Sequence, residues 1–293
     1  MSHLISGTAA NNTLRVMAAD TTEIVETARV KHGTSPTATA ALGRTLTGSI
    51  LLAQVLTKRE QDRVTVRVQG DGPVGWIVCE GSKDGITRGY VKYPDADLPA
   101  RESDGKLDVG GLVGLAGDFA VTRLLENTEP YTGSVELVSA EIAEDMAKYL
   151  ASSEQIPSAV MLGVLVNARG VSHAGGLLVQ AMPGVTDATL SRLEANIAGL
   201  GTFTNAMRLE NNLLGVVNLA LTGLEFEANS DALELRWQCR CSRDKALQSL
   251  TFFGTPELED MIENGGQEVV CHWCNEKYLI AVSELSELGQ PVT

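Results

Sequence analysis

The sequence predicts an α+β fold, with a sheet-rich N-terminal domain carrying packed helices, a helical connector and a small C-terminal domain. Three observations carry this. Period-two stretches punctuated by glycine fill much of the first part of the chain, a helical stripe follows residue 186, and four of the five cysteines fall at or after residue 239. The change of pattern sets the boundaries: an N-terminal α+β core domain at 1–184, a helical connector at 185–231 and the cysteine-bearing domain at 232–293. The sequence shows no internal repeat, low-complexity tract or long flexible linker.

Thr34-Ser35-Pro36 supplies a helix N-cap followed by proline in the first turn, and the apolar run to about residue 57 predicts a buried helix. Residues 63–68 alternate with period two, Gln69-Gly70-Asp71-Gly72-Pro73 turns the chain, and residues 74–79 return as the second strand of a hairpin. Further strands are predicted at 89–92, 119–123 and 134–138. A helix over 141–151 places Ile142, Met146 and Leu150 on one face, and strands follow at 159–166 and 176–181. Beyond Met182-Pro183-Gly184, the stripe Leu190, Leu193, Ile197, Leu200 predicts a helix, and 207–221 predicts another interrupted at Gly215.

With 293 residues, 44% of them hydrophobic, the chain can bury a sizeable core. No stretch reaches the roughly 18 uninterrupted apolar residues of a membrane span, and the start MSHLISGTAANN lacks the charged and apolar regions of a secretory signal. A cytoplasmic protein without a membrane partner is expected. The formal net charge of -14 opposes general attraction to nucleic-acid phosphates.

Five cysteines are too few for a disulfide scaffold, and their clustering points to metal or redox chemistry. Cys239-Arg240-Cys241 and Cys271-His272-Trp273-Cys274 form C-x-C and C-x-x-C with 29 residues, 242–270, between them. Two thiol knuckles suit one tetrahedral zinc ion with sulfur ligands at about 2.3 Å, and a closed four-thiolate shell leaves no position for a catalytic water. Cys239, Cys241, Cys271 and Cys274 are therefore the expected ligands of one Zn2+ per chain, and 232–293 reads as a zinc-binding domain. A purely structural ribbon uses the same spacing. What points beyond it here is the short first pair and the positive residues Arg236, Arg240, Arg243 and Lys245 around it.

Gln69-Gly-Asp-Gly-Pro73, Ser153-Glu-Gln-Ile-Pro157, Ala174-Gly-Gly-Leu-Leu-Val-Gln-Ala-Met-Pro183 and Cys239-Arg-Cys-Ser-Arg243 occur in that order. In these stretches the chain resembles the redox-regulated thirty-three-kilodalton heat-shock chaperone family, over about residues 60–280. The resemblance implies an ATP-independent holdase rather than an enzyme, inactive when reduced and zinc-bound and active once peroxide or hypochlorous acid oxidises the thiols. It implies pairing of Cys239 with Cys241 and of Cys271 with Cys274 in a redox-switch domain. It also implies unfolded or misfolded proteins as partners, and a homodimer in the oxidised form. A structural zinc contributes on the order of 10–16 kcal/mol in small peptides, against roughly 5–15 kcal/mol for a whole domain. Loss of the metal should therefore unfold the C-terminal domain and loosen helices that lean on it.

Two rivals use the same residues. A thiol-disulfide oxidoreductase would employ Cys271 and Cys274 at a helix N-terminus, whereas residues 276–280 read as a strand. A nucleic-acid-binding ribbon would use Arg236, Arg240, Arg243 and Lys245 against phosphates. Cys79 reads as a packed thiol at the end of an apolar strand, and His272 as lying outside the ligand set. His3, His32 and His173 take ordinary polar roles. The run 110–117 reads as a turn or bulge in a sheet, not a phosphate cradle. Trp237, Trp273 and Tyr278 are expected to form a small aromatic core around the metal.

Overall fold

The computed structural model describes residues 1–288. They fall into two compact units, residues 1–238 and residues 239–288. Among the described residues, no helix is long and apolar enough to cross a membrane.

The first unit begins with an antiparallel hairpin of β1 (His3–Ala9) and β2 (Leu14–Asp20). Its turn runs through Ala10, Asn11 and Asn12, all in the left-handed region at φ 50, 55 and 63°. The sequence signals no strand at β2 because both its faces are covered. Val16 and Ala18 pack on one side and Met17 and Ala19 on the other, which erases the alternation of a half-buried strand. Helix α1 (Thr22–His32) follows and ends on Gly33 at φ 64°.

The predicted buried helix is α2 (Pro36–Leu56), with Ser35 Oγ accepting from the Ala38 N–H at 3.1 Å. Residues 37–43 and 45–54 are all buried. Two sheets enclose this helix. One is built from β3 (Arg63–Gln69), β4 (Trp76–Ser82), β5 (Ile86–Val91), β6 (Asp118–Leu124) and β7 (Tyr131–Glu136), in the order β5-β4-β3-β6-β7. The other joins β1 and β2 to β9 (Gly170–Ala181) and β8 (Ser158–Asn167), in the order β1-β2-β9-β8. Helix α2 packs on β3, β4 and β5 of the first and on β8 and β9 of the second. Gly81 on β4 makes the close approach possible, since a Cβ there would stand 2.6 Å from the Ser49 carbonyl carbon. Cys79, also on β4, is fully buried in this core.

The glycine run 110–117 is not a bulge in a sheet. It starts within a short helix, α3 (Val109–Val113), capped by Asp108, whose Oδ1 accepts from the Gly111 N–H at 2.9 Å. Helix α4 (Ala143–Ser152) buries Met146 and Leu150 on one face, with Ile142 just before it.

Residues 187–220 form α5 (Asp187–Leu200), α6 (Phe203–Glu210) and α7 (Leu213–Ala220). They cover the face of the β1-β2-β9-β8 sheet turned away from α2. Leu193, Phe203, Met207, Leu213 and Val217 pack there on Val16, Ala18, Leu177 and Val179. The helix break predicted at Gly215 falls earlier, at Asn211 and Asn212. Asn211 takes φ 55°, and Asn212 caps α7 by accepting from the Gly215 N–H at 2.7 Å. The unit closes with three two-residue strands, β10 (Glu227–Ala228), β11 (Leu233–Glu234) and β12 (Arg236–Trp237).

The second unit contains α8 (Arg243–Leu250), α9 (Thr255–Glu263), the hairpin β13 (Gln267–Val270) with β14 (Lys277–Ile280), and α10 (Val282–Leu288). Its apolar core is small, with Leu250, Leu258, Ile280 and Leu285 fully packed at the centre.

Candidate metal centre

The two cysteine pairs occupy two kinds of local structure. Cys239 and Cys241 lie on an irregular segment that ends where Ser242 caps α8, its Oγ accepting from the Lys245 N–H at 3.2 Å. Cys271 to Cys274 form the turn between β13 and β14. There the Asn275 N–H donates to the Cys271 carbonyl at 2.7 Å, and Asn275 takes the left-handed φ of 59° that closes so tight a turn. A hairpin turn, not a helix N-terminus, therefore carries the C-x-x-C. This removes the local dipole on which a thioredoxin-like nucleophile depends.

All four sulfurs lie within 4.8 Å of one another. Cys239 Sγ and Cys271 Sγ are 3.7 Å apart, and Cys241 Sγ and Cys274 Sγ 3.4 Å. Four sulfurs at about 2.3 Å from a central ion would have edges of about 3.8 Å. The arrangement can hold a metal ion, and all four sequence-predicted ligands meet in it. No disulfide joins them.

The electrostatics point the same way. Burial pushes the Cys274 thiol well above its ordinary range, and neighbouring Cys241 and Cys239 add to the effect. Burial also raises Cys271, with Cys239 contributing. A cation bound among the sulfurs would offset the rise at Cys271 and Cys274. Cys274 is the most enclosed of the four, at 4% exposure.

Two of the positive side chains near the cysteines are engaged within the unit. Arg243 pairs with Glu284 at 2.7 Å, tying α8 to α10, and Lys245 Nζ donates to the Arg240 carbonyl at 2.7 Å. His272 is exposed in the turn. The expected aromatic core around the metal needs correction. Trp237 lies on β12 in the first unit, packed against the main core, with its ring edge-on to His32 at 6.1 Å between centroids. Tyr278, by contrast, donates its hydroxyl proton to Cys241 Sγ at 3.1 Å. Only the strand register reveals this bond: Tyr278 pairs with Val269 on β13, four residues beyond the last cysteine.

Comparison with known proteins places this architecture. The family model described as Hsp33 protein matches residues 2–281. The chain belongs to the Hsp33 family. The 33 kDa chaperonin of Deinococcus radiodurans is 58% identical over 287 residues, covering 98% of each chain. A 33 kDa chaperonin of Thermus thermophilus is 51% identical over 298 residues, covering 98% of this chain and 86% of the relative. The crystal structure of the Thermotoga maritima 33 kDa chaperonin, an Hsp33 homologue, superposes with a TM-score of 0.91 at 37% identity, covering 98% of this chain and 97% of that one. The α+β fold expected from sequence is thus that of an Hsp33 protein, and the chain takes its place among chaperones.

Proposed function

We propose that this chain is a redox-regulated, ATP-independent holdase that binds unfolded proteins under oxidative stress, and that zinc on Cys239, Cys241, Cys271 and Cys274 keeps it inactive. The observation that carries the reading is the convergence of four sulfurs within 4.8 Å inside a unit whose own apolar core is small. Zinc, when bound, holds all four as thiolates and supplies folding free energy that a core of this size lacks.

Oxidation dismantles that support. Each thiolate pair gives two electrons to one peroxide, which takes two protons from solvent and leaves as two waters, and one S–S bond forms. Cys239 with Cys241 and Cys271 with Cys274 are the proposed pairs. Disulfide sulfurs are poor metal ligands, so the second unit loses its main stabilisation. The chain then exposes apolar surface to unfolded clients and forms a homodimer. The activity resides in that surface and not in a catalytic group, and it is exercised in the cytoplasm.

The test follows the aggregation of a chemically unfolded protein by light scattering, with the chain added either reduced with zinc or oxidised with peroxide, while a chromogenic chelator reports metal release. Suppression by the oxidised form alone, in step with metal release, is the expected result. Metal that stays bound, or leaves without any change in scattering, would reduce the site to a structural ribbon.

A further inference from the structure

The first unit ends in a strap that closes two sheet edges at once. After α7, residues 224–238 run first along β1 and then along β5. The Ala10 N–H donates to the Leu224 carbonyl at 2.6 Å, the Asn229 N–H to Ser6 at 2.8 Å and the Leu235 N–H to Ser2 at 3.0 Å. The strap then changes sheets. The Arg236 N–H donates to the Gly85 carbonyl at 3.0 Å and the Gln238 N–H to Thr87 at 3.1 Å. Strands β10 and β11 are antiparallel to β1, and β12 is parallel to β5. Without the strap, β1 and β5 would both present a row of unpaired backbone groups, the feature that invites strand addition.

The side chains show what such an edge accepts. Leu233, Leu235 and Trp237 point inward against the main core, while Glu234 and Arg236 between them are exposed. An extended backbone with apolar residues at every second position therefore fills the site. Each of the three strands is only two residues long, a weak ladder by the standards of sheet pairing. Trp237 Nε1 is also buried without a hydrogen-bond partner, a cost that release of the strap would remove. Cys239 follows Gln238 directly. The last bond of the strap is thus one peptide unit from a thiol of the metal cluster.

We propose that residues 224–238 are an internal stand-in for a client: when they leave, extended segments of unfolded protein pair with the β1 and β5 edges in their place. This rests on the holdase reading above for the trigger and adds the binding mode. Main-chain hydrogen bonds supply affinity that does not depend on sequence, and a preference for alternating apolar residues follows from the pockets left by Leu233, Leu235 and Trp237.

The test uses the full chain and a labelled synthetic peptide of residues 231–238, with a second peptide N-methylated at Leu235 and Arg236. On oxidation, the amides of Asn229, Leu235, Arg236 and Gln238 should lose hydrogen-exchange protection. The parent peptide should bind the oxidised chain and displace unfolded client, and the methylated peptide should bind at least about tenfold more weakly. Equal binding of the two peptides overturns the proposal. So does retained protection of those four amides in an oxidised chain that suppresses aggregation, a result that leaves the redox reading standing. An oxidised chain that suppresses nothing sinks the redox reading instead, and the edges are then judged on reduced Arg236→Pro, which removes a strap donor at an exposed position. Preferential binding of the parent peptide to that variant sustains the proposal, and equal or absent binding overturns it.

Discussion

The Tyr278 hydroxyl donates to Cys241 Sγ across 3.1 Å, so the strand that follows the second cysteine pair reaches back to a sulfur of the first. In the proposed zinc site such a bond would orient the Cys241 sulfur and lower its nucleophilicity, favouring metal retention and slowing attack on peroxide. Tyr278→Phe removes the donor and keeps the ring in the small core of the second unit. We expect roughly a tenfold loss of zinc affinity in chelator competition, with faster zinc release under peroxide. Unchanged affinity and release would show that the contact merely fills space.

Metal removal should divide the chain at the boundary of its two units. Ordering each residue costs about 1–2 kcal/mol of backbone entropy, and the second unit offsets this with four buried apolar residues, Leu250, Leu258, Ile280 and Leu285, and a partly buried fringe around them. The first unit keeps its α2-centred core whatever happens to the sulfurs. A strong chelator added to the reduced chain should abolish amide protection across β13 and β14 while leaving β3, β4 and β9 protected. Protection that persists in the hairpin would mean the unit folds without metal.

Cys79 should stand outside this chemistry. It is fully buried on β4, and burial pushes its thiol well above the ordinary range, so the reactive thiolate is suppressed twice over. Alkylation of the reduced, chelated, otherwise native chain should modify Cys239, Cys241, Cys271 and Cys274, and Cys79 only after denaturant is added. Rapid modification of Cys79 would make it a fifth sensor.

How much of this was legible in the sequence depended on whether the signal was local. The cysteine cluster was legible because C-x-C and C-x-x-C are short-range patterns, and α2 because Ser35 and Pro36 announce a helix start. The β3–β4 hairpin was legible through its alternation and its Gly70-Asp71-Gly72-Pro73 turn. Strand β2 was not, since α2 and the α5–α7 layer bury both its faces. Helix α8 hides for the opposite reason: only Ala246 and Leu250 of its residues are buried, too few for a stripe. Trp237 looks like a neighbour of the metal in sequence, yet its backbone pairs with Thr87, and no local pattern encodes a register across so many residues.

A different long-range contact puts a buried carboxylate to work. Asp62, 4% exposed, accepts from the backbone N–H groups of Lys58, Arg59 and Glu126 at 3.1, 3.0 and 3.0 Å, joining the end of α2 to the loop after β6. The Glu126 bond is the main cause holding its pKa below the ordinary aspartate value, with those from Arg59 and Lys58 adding to it. Because the folded pKa is depressed, the stability Asp62 contributes is complete above the unfolded value of about 4 and is lost as pH falls through the folded value. Asp62→Asn cannot offer two anionic oxygens to three donors, and should cost about 1–2 kcal/mol at neutral pH. Urea unfolding of the first unit should therefore separate the two proteins at pH 7 and bring their midpoints together as pH falls through the folded value of Asp62. A difference that persists undiminished into acid would show that the loss arises from packing and not from the charge.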